Sequence, residues 1–207
     1  MPTIYDIKPK FQALLRPICQ RLAAKGVTAN QVTVVAMLLS FATGGLLTWR
    51  PNNTAILLIV PVVLFVRMAL NAIDGMLARE HGQKSPLGAI LNEVSDVLSD
   101  AALYLPFAFV GGIHSWLVIW IVVLAIVSEM TGVVAVQIGA SRRYDGPLGK
   151  SDRAFLFGLI ALLAGCGVPL HPWINPGLAL AAVLLAVTIV NRARHALAEV
   201  ARRTPRA

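Results

Sequence analysis

Hydrophobic positions along this chain come in long blocks rather than in alternation. No charged side chain falls within 26–49, 51–66, 101–128, 130–141 or 154–191, and a membrane-crossing helix needs about 20 mostly apolar residues. Turn chemistry interrupts the two longest blocks, with GGIHS at 111–115 and GCGVPLHPWINPG at 165–177. Treating both as loops predicts six membrane helices, near 28–49, 53–79, 86–110, 115–140, 151–167 and 175–196. Ser85-Pro86 and Asn175-Pro176 each join a capping side chain to proline at the first helical position, and Ser115 and Ser151 are further candidate caps.

Ahead of these, KFQALLRPICQRLAAK places apolar side chains at 11, 14, 15, 18, 19 and 22, with basic residues on the remaining face. That pattern predicts a helix lying in the cytoplasmic interface, broken or kinked at Pro17. No uninterrupted apolar core marks a cleaved signal peptide in the first 25 residues. The expected fold is all-α, an integral membrane six-helix bundle with an N-terminal amphipathic helix. Residues 1–27 form the interfacial segment, 28–200 the six-helix domain and 201–207 a basic cytoplasmic tail.

Composition supports a membrane setting. Of 207 residues, 57% are hydrophobic and 14% charged, against about a quarter charged in an ordinary soluble domain. All of the 18 Lys and Arg except Arg50 and Arg67 fall on the side that carries the termini, which places both termini in the cytoplasm. The net charge of +8 then lines a membrane edge facing anionic headgroups rather than serving nucleic acid. Cys19 and Cys166 fall near opposite membrane faces, so neither a disulfide nor a zinc site is expected.

One stretch breaks the apolar pattern. NAIDGMLAREHGQKSPLGAILNEVSDVLSD, at 71–100, concentrates acidic and asparagine side chains at helical spacing. Asn71 and Asp74 share a face near the end of the second span. Asn92, Asp96 and Asp100 follow every fourth residue in the third, with Glu93 beside them. The connection between the two spans is short, so they are expected to be antiparallel neighbours with their oxygen-rich faces together. Charges at membrane depth cost several kcal/mol unless paired, hydrated or bound to an ion. Converging carboxylate and amide oxygens suit a hard divalent cation; the plainer alternatives are a hydrogen-bonded helix pair or a proton path. Gly75, Ala78 and Gly88 leave room either for close helix packing or for a flat ligand.

Arg67, four before Asn71, is expected to pair with Asp100 one turn deeper, which makes Asp100 structural. Glu129 either faces the same polar chamber or is a protonated core residue, and His81 is read as an interface side chain. The loop SRRYDGPLGKSDRAF carries Arg142, Arg143, Lys150 and Arg153. These are either ordinary topology determinants or phosphate contacts. Lys150 and Arg153 are the preferred phosphate pair, and they would imply an anionic acceptor such as glycerol 3-phosphate or an inositol phosphate.

The run Asn71-x2-Asp74-Gly75-x2-Ala78-Arg79-x8-Gly88-x3-Asn92-x3-Asp96 resembles the signature of the CDP-alcohol phosphatidyltransferase family, Asp-x2-Asp-Gly-x2-Ala-Arg-x8-Gly-x3-Asp-x3-Asp, with every spacing intact. The basic lead-in, the entry Thr28-Ala29-Asn30-Gln31-Val32-Thr33 and the six-span plan resemble it too. The resemblance implies a homodimeric membrane bundle whose active site opens to the cytoplasmic leaflet. Such an enzyme moves a phosphatidyl group from a CDP-linked donor such as CDP-diacylglycerol to an acceptor hydroxyl and releases CMP, in phospholipid synthesis. By position, Asn71, Asp74, Asn92 and Asp96 would bind metal, and Asp96 would also be the catalytic base. Arg79 would contact the donor, and Gly75, Ala78 and Gly88 would line its pocket. Oxygen-only ligation points to Mg²⁺ or Mn²⁺.

Two departures stand out, because Asn71 and Asn92 replace the family's first and third aspartates. Three readings remain: one metal instead of two, compensation by Glu93 or Asp100, or loss of catalysis with the fold retained. Rivals from other classes are a membrane protein that binds a CDP-lipid or a partner without turnover, and a small ion transporter.

Overall fold

The computed structural model describes residues 4–203, the side chains of 4–8 excepted. The chain is all-α. Its helices are α1 (Ile4–Ala24), α2 (Ala29–Trp49), α3 (Thr54–Glu80), α4 (Pro86–Tyr104), α5 (Ser115–Gln137), α6 (Lys150–Gly165) and α7 (Ile174–Arg203), with a 3-10 turn at Leu105–Phe109 after α4. Four of them, α2, α3, α5 and α7, are long and apolar enough to cross a bilayer, and the chain is an integral membrane protein. Helix α4 carries Glu93, Asp96 and Asp100, and α6 has 16 residues, which keeps both out of that group.

Two compact units are present. The first joins the chain up to residue 43 with 62–103; the second joins 44–61 with the chain from 104 onward.

In the first unit, Leu15 and Cys19 of α1 pack with Ala29 and Val32 of α2 and Ile73, Met76 and Leu77 of α3. Helix α1 runs through Pro9 and Pro17, so of the break or kink expected at Pro17 the break is absent. Pro17 deprives only the Ala13 carbonyl of a donor, and both residues are exposed, where surrounding solvent can supply one. Leu14 and Ile18 stay exposed. Arg16 ties α1 to the end of α3 through Glu80 at 2.9 Å.

Helix α2 opens with a reciprocal cap. The Gln31 amide donates to Thr28 Oγ1 at 3.2 Å, and the Thr28 amide donates to Gln31 Oε1 at 2.9 Å. Gln83, from the α3–α4 connection, accepts the Ala29 amide at 2.7 Å. Ser85 caps α4 as its sequence predicts, accepting the Gly88 amide at 2.9 Å.

In the second unit α5 packs along α7 and against the 3-10 turn. Small buried residues on α5, Ala125, Ser128, Gly132 and Ala135, let it approach closely. Tyr104 stacks on Phe157 with ring centroids 4.3 Å apart. Three candidate caps do other work. Asn175 lies inside α7 and clasps the loop before α5, accepting the His114 amide at 2.8 Å and donating to the Gly112 carbonyl at 2.9 Å. Ser115 donates to the Ala108 carbonyl. Ser151 yields to Gly149, whose amide donates to Asp152 Oδ2 at 2.8 Å. Both cysteines are free.

The loop before α6 docks on Thr188, whose Oγ1 accepts the Leu148 amide at 3.1 Å. Gly146 makes the approach possible. Its φ is +126°, and a Cβ there would collide with the Thr188 side chain. Gly146→Ala is expected to cost about 1–3 kcal/mol, seen as a lower Tm in mild detergent, whereas Gly139→Ala, with open space around it, should bear only backbone strain and lose less.

Candidate active site

Within the first unit, three turns of α3 present polar groups to its neighbours. Arg67, deepest in the chain's apolar stretch, is 3% exposed. Its NH1 donates to Asp100 Oδ1 at 2.6 Å, the pair expected from helical spacing. Its NH2 donates to the Asp96 main-chain carbonyl at 3.1 Å and stands 3.5 Å from Asp96 Oδ1. One turn on, Asn71 Nδ2 donates to Asp96 Oδ1 at 3.1 Å. Asp74, nearly buried, accepts from Thr33 Oγ1 of α2 at 2.8 Å. Asp74 therefore meets α2 and Asp96 meets α3.

The remaining motif positions frame these groups. Asn92 is half-buried, and its carbonyl accepts from Ser95. Arg79 is exposed and folds back over Gly75, where a Cβ would lie 3.0 Å from the guanidinium. A Cβ on Gly88 would lie 2.8 Å from Asn30 Oδ1 and 3.0 Å from Ser85 Oγ, so this glycine admits Asn30 of α2 beside α4. Ala78 packs at the edge of the Leu15–Met76 cluster.

The donors suit a hard cation, since all are oxygens. With Asn at 71 and 92 the motif supplies two carboxylates, and among the described residues no group of three or more His, Cys, Asp or Glu is placed to hold a metal. Any further oxygens would have to come from the amides. Turning the Asn71 amide by half a rotation exchanges its nitrogen and oxygen without moving the chain. It can donate to a bare carboxylate and offer its oxygen to a cation.

The second unit holds an arginine cluster. Glu129 receives Arg142 NH2 at 2.9 Å and Arg153 NH2 at 3.0 Å, with Arg192 NH1 at 3.4 Å. Arg153 and Arg192 are fully buried, and Lys150 is half-buried at the start of α6. Glu129, ambiguous in the sequence, is thus an ion-pair partner of three arginines. Arg192 was legible only as a topology charge, although it shares the buried face of Leu185, Thr188 and Ala196. Thr33 carried no signal beyond its place in the entry to α2.

Outside the spans, Asp145 accepts from Arg143 Nε at 2.7 Å and NH2 at 2.8 Å, with His195 Nδ1 at 3.3 Å. Burial alone would raise the Asp145 carboxyl, but the hydrogen bonds from Arg143 and His195 outweigh it and hold it below the ordinary value of 3.8. A depressed carboxyl contributes stability that is present above its unfolded pKa and is lost as pH falls through the folded one. The Tm gap between wild type and Asp145→Asn is therefore expected to hold from neutral pH down to about 4 and to close on further acidification.

The model of the CDP-alcohol phosphatidyltransferase family matches residues 26–195. The chain is 48% identical over 195 residues to inner membrane protein YnbA of Escherichia coli K12, covering 94% of this chain and 96% of that one. It is 30% identical to a phosphatidylinositol phosphate synthase of Mycobacterium marinum, over 87% of this chain and 76% of the relative. The fold is similar to the crystal structure of the Mycobacterium tuberculosis phosphatidylinositol phosphate synthase. With manganese and citrate the TM-score is 0.69, at 22% identity over 92% of each chain. With CDP-DAG bound it is 0.66, at 23% identity over 89% and 92%.

Proposed function

The chain belongs to the CDP-alcohol phosphatidyltransferase family, metal-dependent membrane enzymes of phospholipid synthesis, and from that premise we propose how its own residues carry the reaction. The observation that carries the proposal is the contact of Asn71 with Asp96, which brings α3 and α4 together at the motif. Asp74, Asp96, Asn71 and Asn92 would hold the cation, Mg²⁺ or Mn²⁺. When bound, it would neutralise the pyrophosphate and polarise the phosphorus under attack.

Asp96 is the proposed general base. It takes the proton of the acceptor hydroxyl as that oxygen forms its bond to phosphorus and the bond to CMP breaks. Asn71 and Arg67 approach its Oδ1 and orient the carboxylate. Arg79, folded across Gly75, is placed to swing onto a donor phosphate, and Ala78 and Gly88 keep the walls of the donor pocket low. The donor is proposed to be CDP-diacylglycerol, which fits a site whose lipid tails remain in the bilayer.

The acceptor is proposed to be a phosphorylated polyol. Arg142, Arg153 and Arg192 converge on Glu129, and Lys150 opens the same helix as Arg153. Phosphate oxygens match such a fork of guanidinium donors. The name of the Mycobacterium marinum relative, phosphatidylinositol phosphate synthase, describes a lipid product with a phosphorylated polyol headgroup.

The topology we propose has α2 to α7 crossing the membrane, α1 in the interface, both termini cytoplasmic and the active site facing the cytoplasm, in a homodimer. The charge asymmetry of the loops supports the cytoplasmic placing of the termini. A second reading, binding of a CDP-lipid or a partner without turnover, draws only on the asparagines at 71 and 92.

Purified protein given CDP-diacylglycerol and a panel of glycerol 3-phosphate, inositol phosphate, serine and choline should release CMP with a phosphorylated polyol and require divalent metal. Asp96→Asn should lower the rate by about 100-fold or more. Nucleotide binding without CMP release across the panel would favour the second reading.

A further inference from the structure

The polar face of α3 and α4 carries a positive charge that the metal-binding motif does not contain. Arg67 is held on three sides: by Asp100 at 2.6 Å, by the Asp96 carbonyl at 3.1 Å and beside Asp96 Oδ1 at 3.5 Å. Its side chain is 4% exposed, that of Asp100 9% and that of Asp96 25%. The guanidinium is thus walled in, while the carboxylate next to it stays accessible.

We propose that Arg67 sets the charge of the metal site to match one divalent cation, and that it is a positioning residue for Asp96. The proposal rests on the metal-binding role assigned above. Asp74, Asp96 and Asp100 bring three negative charges and Arg67 one positive, a net of minus two that Glu93 and Arg79, one of each sign, leave unchanged. One divalent ion neutralises that sum. Four motif aspartates would need more positive charge, and here two are asparagines while a fixed cation stands beside a third. The substitutions at 71 and 92 and the Arg67–Asp100 pair are two parts of one charge balance. A guanidinium also differs from a second ion in kind. It cannot leave, and it bonds the Asp96 main chain, so it fixes the turn of α4 from which the base projects.

The charge balance makes a signed prediction, because adding or removing one charge near a divalent ion changes its affinity by about tenfold or more. The full chain in detergent is titrated with Mn²⁺, reading stoichiometry and Kd, with CDP binding as a check of the folded site. Wild type should bind one ion per chain. Arg67→Gln should tighten Mn²⁺ binding about tenfold or admit a second ion, and Asp100→Asn should weaken it about tenfold. Arg67→Gln with Asp100→Asn should return to within about threefold of wild type, as should Arg67→Lys. The double variant buries no unpaired charge, so it keeps the test open if either single change prevents folding. Its turnover should still fall, since the hold on Asp96 is gone, and its KM for the donor should change less than its kcat.

Two ions per wild-type chain at similar affinity would overturn the proposal. So would Arg67→Gln binding Mn²⁺ no more tightly than wild type while still binding CDP. Wild type that binds no Mn²⁺ at all would instead overturn the metal-site assignment on which the proposal stands.

Discussion

A charge inside a bilayer must be paired, and the first unit is organised around that requirement. An isolated guanidinium or carboxylate at membrane depth costs several kcal/mol, and even in a pair the desolvation cost offsets much of the attraction. Arg67 and Asp100 accept that constraint by meeting at 2.6 Å. Their contact adds little net stability compared with two apolar residues of similar size. What it contributes is specificity, because a helix pair with one buried ion pair has one favourable register. With that register set, Asn71 falls opposite Asp96 and donates to its Oδ1.

The neighbouring elements serve the same end. Thr33 gives Asp74 a partner on α2, and the reciprocal Thr28–Gln31 cap fixes where α2 begins. Gly88 lets Asn30 lie against α4, and Gly75 gives the Arg79 side chain its resting place. The two glycines of the family pattern thus lie where polar groups approach closely, Arg79 from the next turn at Gly75 and Asn30 of α2 at Gly88. In the second unit the same rule operates with opposite sign: one carboxylate, Glu129, serves three arginines.

Much of this was legible in the sequence. Helix positions followed from apolar block lengths, since bilayer thickness sets the extent of a spanning helix. The Arg67–Asp100 pair could be read because helical spacing and membrane depth left Arg67 few partners. What could not be read involved partners distant in sequence. Glu129 draws its arginines from positions 142, 153 and 192, and no local pattern joins these. Asn175 looked like a cap because of the proline after it, yet its side chain closes a contact with residues 112 and 114. At Pro17 a break or a kink was expected; the break is absent, and the carbonyl left without a donor lies on an exposed face.

The account stands on α3 and α4 turning Asp74 and Asp96 toward a common cation. Anomalous diffraction at the manganese edge, from crystals of the full chain grown with Mn²⁺, tests this most directly. One peak within coordination distance of both carboxylates is the predicted result. A peak held by residues of a single helix, or none near either aspartate, would contradict it.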